Sequence, residues 1–161
     1  MATTTQQLEF RGDDPDGRAP VVAIMVELAA LPGTGWVNFD AGVDKDVPVP
    51  SRSLLGGLIG ARGPDLPHCS WVPEPNRPTS IGIQHGSGPR AARRLTEAGL
   101  APPPSWQLRQ DHPRRGLVVE VPAGSAPAAQ EEVLDWLLRA ARALSTVPLS
   151  GFWLATVHRK K

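Results

Sequence analysis

Two histidines and an aspartate in the second half of the chain are the residues best suited to acid–base chemistry. His85 closes an alternating apolar segment, and Asp111 and His112 are neighbours in a segment rich in Pro, Arg and Gly. An imidazole exchanges protons near neutral pH, and a carboxylate can act beside it as a base. His85, His112 and Asp111 are therefore the candidate catalytic residues of a small enzyme. In the alternative interpretation, both histidines are loop residues that make ordinary hydrogen bonds.

A short glycine loop follows His85 directly. Gly86, Ser87 and Gly88 precede a segment with helical spacing that opens at Pro89. Glycines free the amides of such a loop to approach an anion at a helix N-terminus. The loop is only part of a phosphate-binding pattern, because neither G-x-x-x-x-G-K-[ST] nor G-x-G-x-x-G occurs. Gly86, Ser87 and Gly88 are predicted to bind an anionic ligand, or else the glycines only make a tight strand-to-helix turn.

Three arginines are expected to complete this anion site. Arg90 lies at the start of the predicted helix, and Arg114 and Arg115 lie in the turn after His112. Guanidinium groups match the oxygens of carboxylates and phosphates. The alternative is that Arg90 and its helical neighbours Arg93 and Arg94 form a solvated helix surface.

The sequence predicts no metal site and no bound cofactor. Cys69 is the single cysteine, and the four histidines lack H-x-x-x-H spacing. A lone cysteine is more often a buried structural residue than a nucleophile, and this is the prediction for Cys69.

Six predicted elements position the candidate residues. Alternation and helical spacing indicate strands at 80–84, 106–110, 117–121 and 152–157, and helices at 89–98 and 128–144. The order β-α-β-β-α-β over residues 79–158 resembles the ferredoxin-like split βαβ arrangement. In such a sheet the loop 85–89, the turn 111–116 and the loop 145–150 lie at one end, where the candidate residues are expected to converge.

The first 75 residues are predicted to be a loop-rich segment that extends or covers the same sheet, so that residues 1–161 form one α+β domain. Short strands are predicted at 8–10, 36–39 and 68–72, with a loop at 11–19. The apolar run 21–28 fits a buried strand or a short helix, and the strand is preferred. Ser51 or Ser53 could cap a short helix.

The last predicted strand carries apolar residues on both faces. Since helices cover one face of such a sheet, the other face is expected to be covered by the N-terminal segment, by a protein partner or by a second copy in a homodimer.

A net charge of +1 conceals two halves of opposite sign. Residues 1–75 carry 5 basic and 10 acidic groups, and residues 76–161 carry 12 basic and 6 acidic groups. The basic half could bind anions or nucleic acid, or the two halves could pack on each other. No apolar segment approaches the roughly 20 residues of a membrane span, and no signal peptide is visible. These features predict a cytoplasmic protein without membrane contact, and the Arg-, Ala-, Pro- and Gly-rich composition is typical of a GC-rich bacterial genome.

The function expected from the sequence is a non-catalytic binding or interaction module. Its arginine-rich end of the sheet is expected to accept a small anionic ligand or an acidic partner. The first alternative is an enzyme for a phosphate- or carboxylate-bearing substrate, with His85 or His112 as acid or base. The second is weak RNA binding, which is not favoured because the arginines lack interleaved aromatic residues for base stacking.

Overall fold

The computed structural model describes residues 2–48 and 63–161 of the chain. Seven strands and three helices occupy these ranges. The strands are β1 Thr3–Arg11, β2 Gly35–Ala41, β3 His68–Val72, β4 Thr79–Gln84, β5 Gln107–His112, β6 Gly116–Val121 and β7 Phe152–Lys160. The helices are α1 Pro15–Ala30, α2 Ala91–Glu97 and α3 Pro127–Leu144. The predicted helix after Ser51 or Ser53 lies outside the described residues.

All seven strands form one antiparallel sheet in the order β1-β7-β2-β3-β4-β6-β5. The predicted α+β class is therefore correct, and the six elements predicted in the second half are present. The ferredoxin-like arrangement is not confirmed, because that arrangement places the last strand beside the first strand of the motif. Here β2 and β3 lie between β7 and β4.

The N-terminal strands extend the sheet rather than cover it. β1 forms one edge and β2 and β3 lie in its interior. The prediction that the N-terminal half adds strands is confirmed. Its helix α1 packs beside α3, and the residues on the opposite face of the sheet, such as Asn38 and Ser70, are half-buried.

The hydrophobic core lies between the sheet and a single layer of helices. α3 contacts β3 and β4 and has α1 on one side and α2 on the other. Alternate strand residues such as Val37, Phe39 and Trp71 are completely buried beneath these helices. Burial of this apolar surface supplies the main stabilisation of the fold. None of the helices in the described part of the chain is long and apolar enough to cross a membrane.

The preferred strand at 21–28 is wrong, because this segment belongs to helix α1. The helix begins earlier than the apolar run: Asp14 caps it by accepting from the Asp16 amide at 3.1 Å, and Pro15 occupies its first turn. The predicted loop 11–19 therefore ends at Asp14. The buried residues Val21, Met25 and Leu28 recur at intervals of four and three, which is helical spacing. Apolar residues between them concealed that period.

Candidate functional site

The loop after β4 and the turn between β5 and β6 meet at one end of the sheet, as the predicted topology required. The contact is made by Asp111 near the end of β5. Its carboxylate accepts hydrogen bonds from the amides of Ala91 at 3.2 Å and Ala92 at 2.9 Å. These two amides open helix α2, so the two chain segments are joined by a carboxylate at a helix N-terminus.

Asp111 caps helix α2 in place of a residue adjacent to the helix in sequence. Arg90 precedes α2 in the left-handed conformation, with φ of 60°, and its side chain makes no capping bond. The helix consequently begins at Ala91 rather than at the predicted Pro89. A carboxylate satisfies free amides and favours the positive end of the helix dipole. Part of the anion-binding capacity predicted for this loop is therefore satisfied within the chain.

His85 is completely buried below the same loop. Its Nδ1 accepts from the Ser87 amide at 3.3 Å and from the Ser87 hydroxyl at 2.8 Å. A backbone amide can only donate, so Nδ1 carries no proton and the neutral ring holds its proton on Nε2. Nε2 is buried without a hydrogen-bond partner among the described residues. Burial lowers the pKa of His85, Arg94 lowers it further, and Asp111 opposes this with a smaller effect.

Arg94 on helix α2 binds the glycine loop through three hydrogen bonds. One guanidinium nitrogen, Nη2, donates to the Ser87 hydroxyl at 3.0 Å and to the carbonyls of Gly88 and Pro89, both at 3.2 Å. The sequence analysis assigned Arg94 either to the positive surface of the anion site or to a solvated helix surface, so this positioning role was missed. Only its place one helical turn after the loop, within reach of the loop carbonyls, could have indicated it.

Glycine is required at positions 86 and 88 for two different structural reasons. Gly88 has a φ of +89°, a conformation that L-residues rarely adopt. A Cβ on Gly86 would lie 2.9 Å from the Pro64 carbonyl oxygen, so a side chain there would push against backbone.

His112 stabilises the turn that follows it. Its Nδ1 accepts from the amides of Arg114 and Arg115, both at 3.1 Å. His85, His112 and Asp111, the three candidate catalytic residues, thus each bind nearby backbone amides. These contacts fix the two segments in place.

All three predicted ligand-binding arginines are exposed at this end of the sheet. Arg90, Arg114 and Arg115 form no salt bridge within the described ranges, whereas Arg93 is paired with Glu97 at 2.9 Å. We call these three residues the basic rim. Its guanidinium groups are the part of the predicted anion site that the chain itself leaves available.

A second candidate surface is the sheet face opposite to the helices, which the sequence analysis expected to be covered by the N-terminal segment, by a protein partner or by a second copy. We call it the open face. The strand registers align one row of seven uncharged residues across its middle. The row consists of Gln7, Thr156, Asn38, Ser70, Gly82, Val118 and Gln110. The alternation of polar and apolar residues in β2 and β3 is the signal that could have revealed it.

Aromatic and hydrogen-bonding groups flank this central row. The rings of Trp36 and His158 stack with centroids 4.7 Å apart and an interplanar angle of 13°. Asn38 Nδ2 lies 3.3 Å from His158 Nε2. The open face therefore offers a flat aromatic pair beside polar groups that can bind a partner.

An acidic groove borders the row on its other side. Glu9, Asp40, Phe152 and Leu154 line a cavity of about 400 Å³. Asp40 is held by His68, whose Nδ1 is 2.6 Å from the Asp40 carboxylate. The Phe152 side chain is 50% exposed. Carboxylates beside exposed apolar surface suit a basic side chain with an apolar stem.

The described residues include no group of three or more His, Cys, Asp or Glu side chains placed to hold a metal ion. Cys69 is buried in the core, where desolvation raises the pKa of its thiol. A buried neutral thiol is a poor nucleophile.

Comparisons with protein-family models, with curated proteins and with solved structures find no match for this chain. The two surfaces described above, the basic rim and the open face, are therefore the observations on which a function can be based.

Proposed function

We propose that the protein is a non-catalytic interaction module that binds a partner protein on its open face. The observation that carries this proposal is the uncharged row across all seven strands, on the face that carries none of the three described helices. The centres of protein interfaces are depleted in charged residues and enriched in aromatic ones. Trp36 beside the row and the charged residues Glu9 and Asp40 at its border follow that distribution.

The size of the open face supports the same proposal. Seven strands about 4.8 Å apart and about six residues deep give a face of roughly 600 Å². A stable protein interface buries about 800 Å² on each partner. The open face and its charged border together approach that area, so one partner domain could cover it.

The acidic groove limits the chemistry of the partner. The carboxyl groups of Glu9 and Asp40 lie beside Phe152 and Leu154, and Asp40 also contacts His68. The Phe152 ring already carries the chain's own Arg11 guanidinium, 5.0 Å from its centroid. A lysine or arginine of the partner whose aliphatic stem packs on Leu154 would bring its charge to the two carboxylates. The proposed partner therefore presents a basic side chain next to an uncharged, hydrogen-bonding surface.

Acid–base catalysis receives less support from the same geometry. His85 Nδ1 and His112 Nδ1 accept from backbone amides, and Asp111 caps helix α2. Moving a proton through either Nδ1 or the carboxylate would disturb the loop that it holds. We accordingly propose structural roles for all three residues.

A second candidate function is anion binding at the basic rim. Arg90, Arg114 and Arg115 have no acidic partner in the part of the chain that the structure describes. They would hold a phosphate or carboxylate group near the surface. Calorimetry with tripolyphosphate tests this: binding that disappears in Arg114→Ala and persists in the exposed control Arg139→Ala supports it, and no heat at low salt overturns it.

Photo-crosslinking tests the first proposal. A benzophenone amino acid replaces Gln84, which is exposed at the open face and pairs with His68. The matched control carries the same group at Thr96, which is exposed on helix α2. In cells of the native organism we expect one defined protein adduct at position 84, lost when Asn38→Arg is added, and none at position 96.

No adduct at position 84, or the same adducts at both positions, would contradict docking on the open face. The proposed compartment for this interaction is the cytoplasm.

A further inference from the structure

The two edges of the sheet are not equivalent. β5, at one edge, is six residues long and has a register shift between Leu108 and Gln110. Such a bulge disrupts pairing with further strands. β1, at the other edge, pairs with β7 over nine consecutive residues without a shift. It contains no proline, and residues 3–8 carry no charge.

Among the described strands only β7 pairs with β1, so the donors and acceptors on the outer edge of β1 can be assigned. At one end of the ladder Lys161 donates to the Ala2 carbonyl at 2.9 Å, and at the other Gly12 donates to the Gly151 carbonyl at 2.9 Å. Hydrogen-bonded pairs alternate along an antiparallel ladder. Even-numbered residues of β1 therefore bond to β7, and the backbone N–H and C=O groups of Thr3, Thr5, Gln7 and Glu9 point away from the sheet.

We propose that β1 pairs with β1 of a second copy of this chain, so that two seven-stranded sheets join edge to edge. A two-fold axis at Gln6 makes the two strands antiparallel. Thr5 then lies opposite Gln7 of the second copy, and Thr3 lies opposite its Glu9. The outward-pointing residues of one strand meet those of the other, so every bond of the new ladder has both its donor and its acceptor.

The composition of β1 favours a second copy over an unrelated peptide. Glu9 is the only charged residue in the paired range 3–9, and the two-fold axis places it opposite a threonine. No like charges face each other, and no charge selects a partner of opposite sign. Threonines are well suited to strands, and three of them occupy residues 3–5.

Substitution at Thr5 tests the pairing by sedimentation equilibrium. Thr5→Pro removes an outward N–H and leaves the bonds to β7 intact. Edge strands tolerate a proline whose missing N–H would point away from the sheet. Thr5→Ala is the matched control, because it changes the side chain and keeps the N–H. We expect a dimer whose dissociation constant rises about 30-fold or more in Thr5→Pro and less than about threefold in Thr5→Ala.

Hydrogen exchange gives a second readout that does not depend on the variant folding. In concentrated wild-type protein the amides of Thr3, Thr5, Gln7 and Glu9 should be protected, and on dilution they alone should lose that protection. A monomer at every concentration, with these amides exchanging rapidly, would overturn the proposal. So would a dimer that Thr5→Pro leaves unchanged but Asn38→Arg disrupts, because that dimer would use the open face.

Discussion

The carboxylate of Asp111 should contribute more to stability than any exposed acid in the chain. It accepts two backbone hydrogen bonds at the start of α2, from Ala91 and Ala92. Loss of a helix cap costs about 1 kcal/mol, and a hydrogen bond to a charged group contributes about 1.5 kcal/mol or more. Asp111→Ala should therefore lower the free energy of unfolding by about 2–3 kcal/mol.

The corresponding change in melting temperature follows from the size of the chain. Unfolding entropy of about 2.1 cal/mol/K per residue gives about 0.34 kcal/mol/K for 161 residues. A loss of 2–3 kcal/mol then lowers Tm by about 6–9 °C. Calorimetry measures Tm, and urea titration measures the free energy directly.

Asp44→Ala is the matched control for Asp111→Ala. Asp44 is exposed and forms no salt bridge among the described residues, so its loss should change stability by less than about 0.5 kcal/mol. Equal, small losses in Asp111→Ala and Asp44→Ala would refute the conclusion that Asp111 ties β5 to α2.

Two further predictions concern the same loop. Arg94→Ala should cost about 1–2 kcal/mol and accelerate hydrogen exchange at Ser87, because three loop acceptors lose their donor. Arg93→Ala removes only an exposed pair with Glu97, so it should change neither the stability nor the exchange at Ser87. Equal exchange rates in the two variants would contradict the role of Arg94 in holding the loop. The folded chain lowers the pKa of His85 from 6.5, so protonation favours the unfolded chain. Below about pH 6.5 the free energy of unfolding of the wild type should fall relative to that of His85→Asn. The fall should be at most about 1.4 kcal/mol per pH unit. Urea titrations of both proteins between pH 8 and 5 measure this, and parallel pH profiles would contradict a buried neutral His85.

Local patterns in the second half of the chain were sufficient to predict its elements. The stripe that includes Val133, Leu134 and Leu137 predicted α3, and all three residues are buried in the core. The same approach failed for α1, because the half-buried residues Ile24 and Val26 fill the run between its core positions. The strand order could not be predicted either, since the sequence of β7 does not indicate whether β2 or β4 lies beside it.

The sequence analysis predicted that the two segments of the candidate site meet, but not the contact that joins them. Topology brought the loop of His85 and the turn of His112 to one end, and Asp111 joins them. A cap supplied from 20 residues away leaves no local sequence signature, so the contact of Asp111 with helix α2 could not be predicted. The sequence analysis anticipated a sheet face without helices but not the uncharged row across it, because that row is formed by seven strands whose registers are set by the fold.

The proposal of an interaction module is tested most directly by the affinity for the protein that cross-links at position 84. Asn38 lies in the middle of the uncharged row, and Asn38→Arg places a charge there. Thr96→Arg adds the same charge on helix α2, and thermal melts confirm that both variants fold. The dissociation constant should rise about 30-fold or more in Asn38→Arg and less than about threefold in Thr96→Arg. Equal affinity of the two variants would show that the partner does not bind the open face.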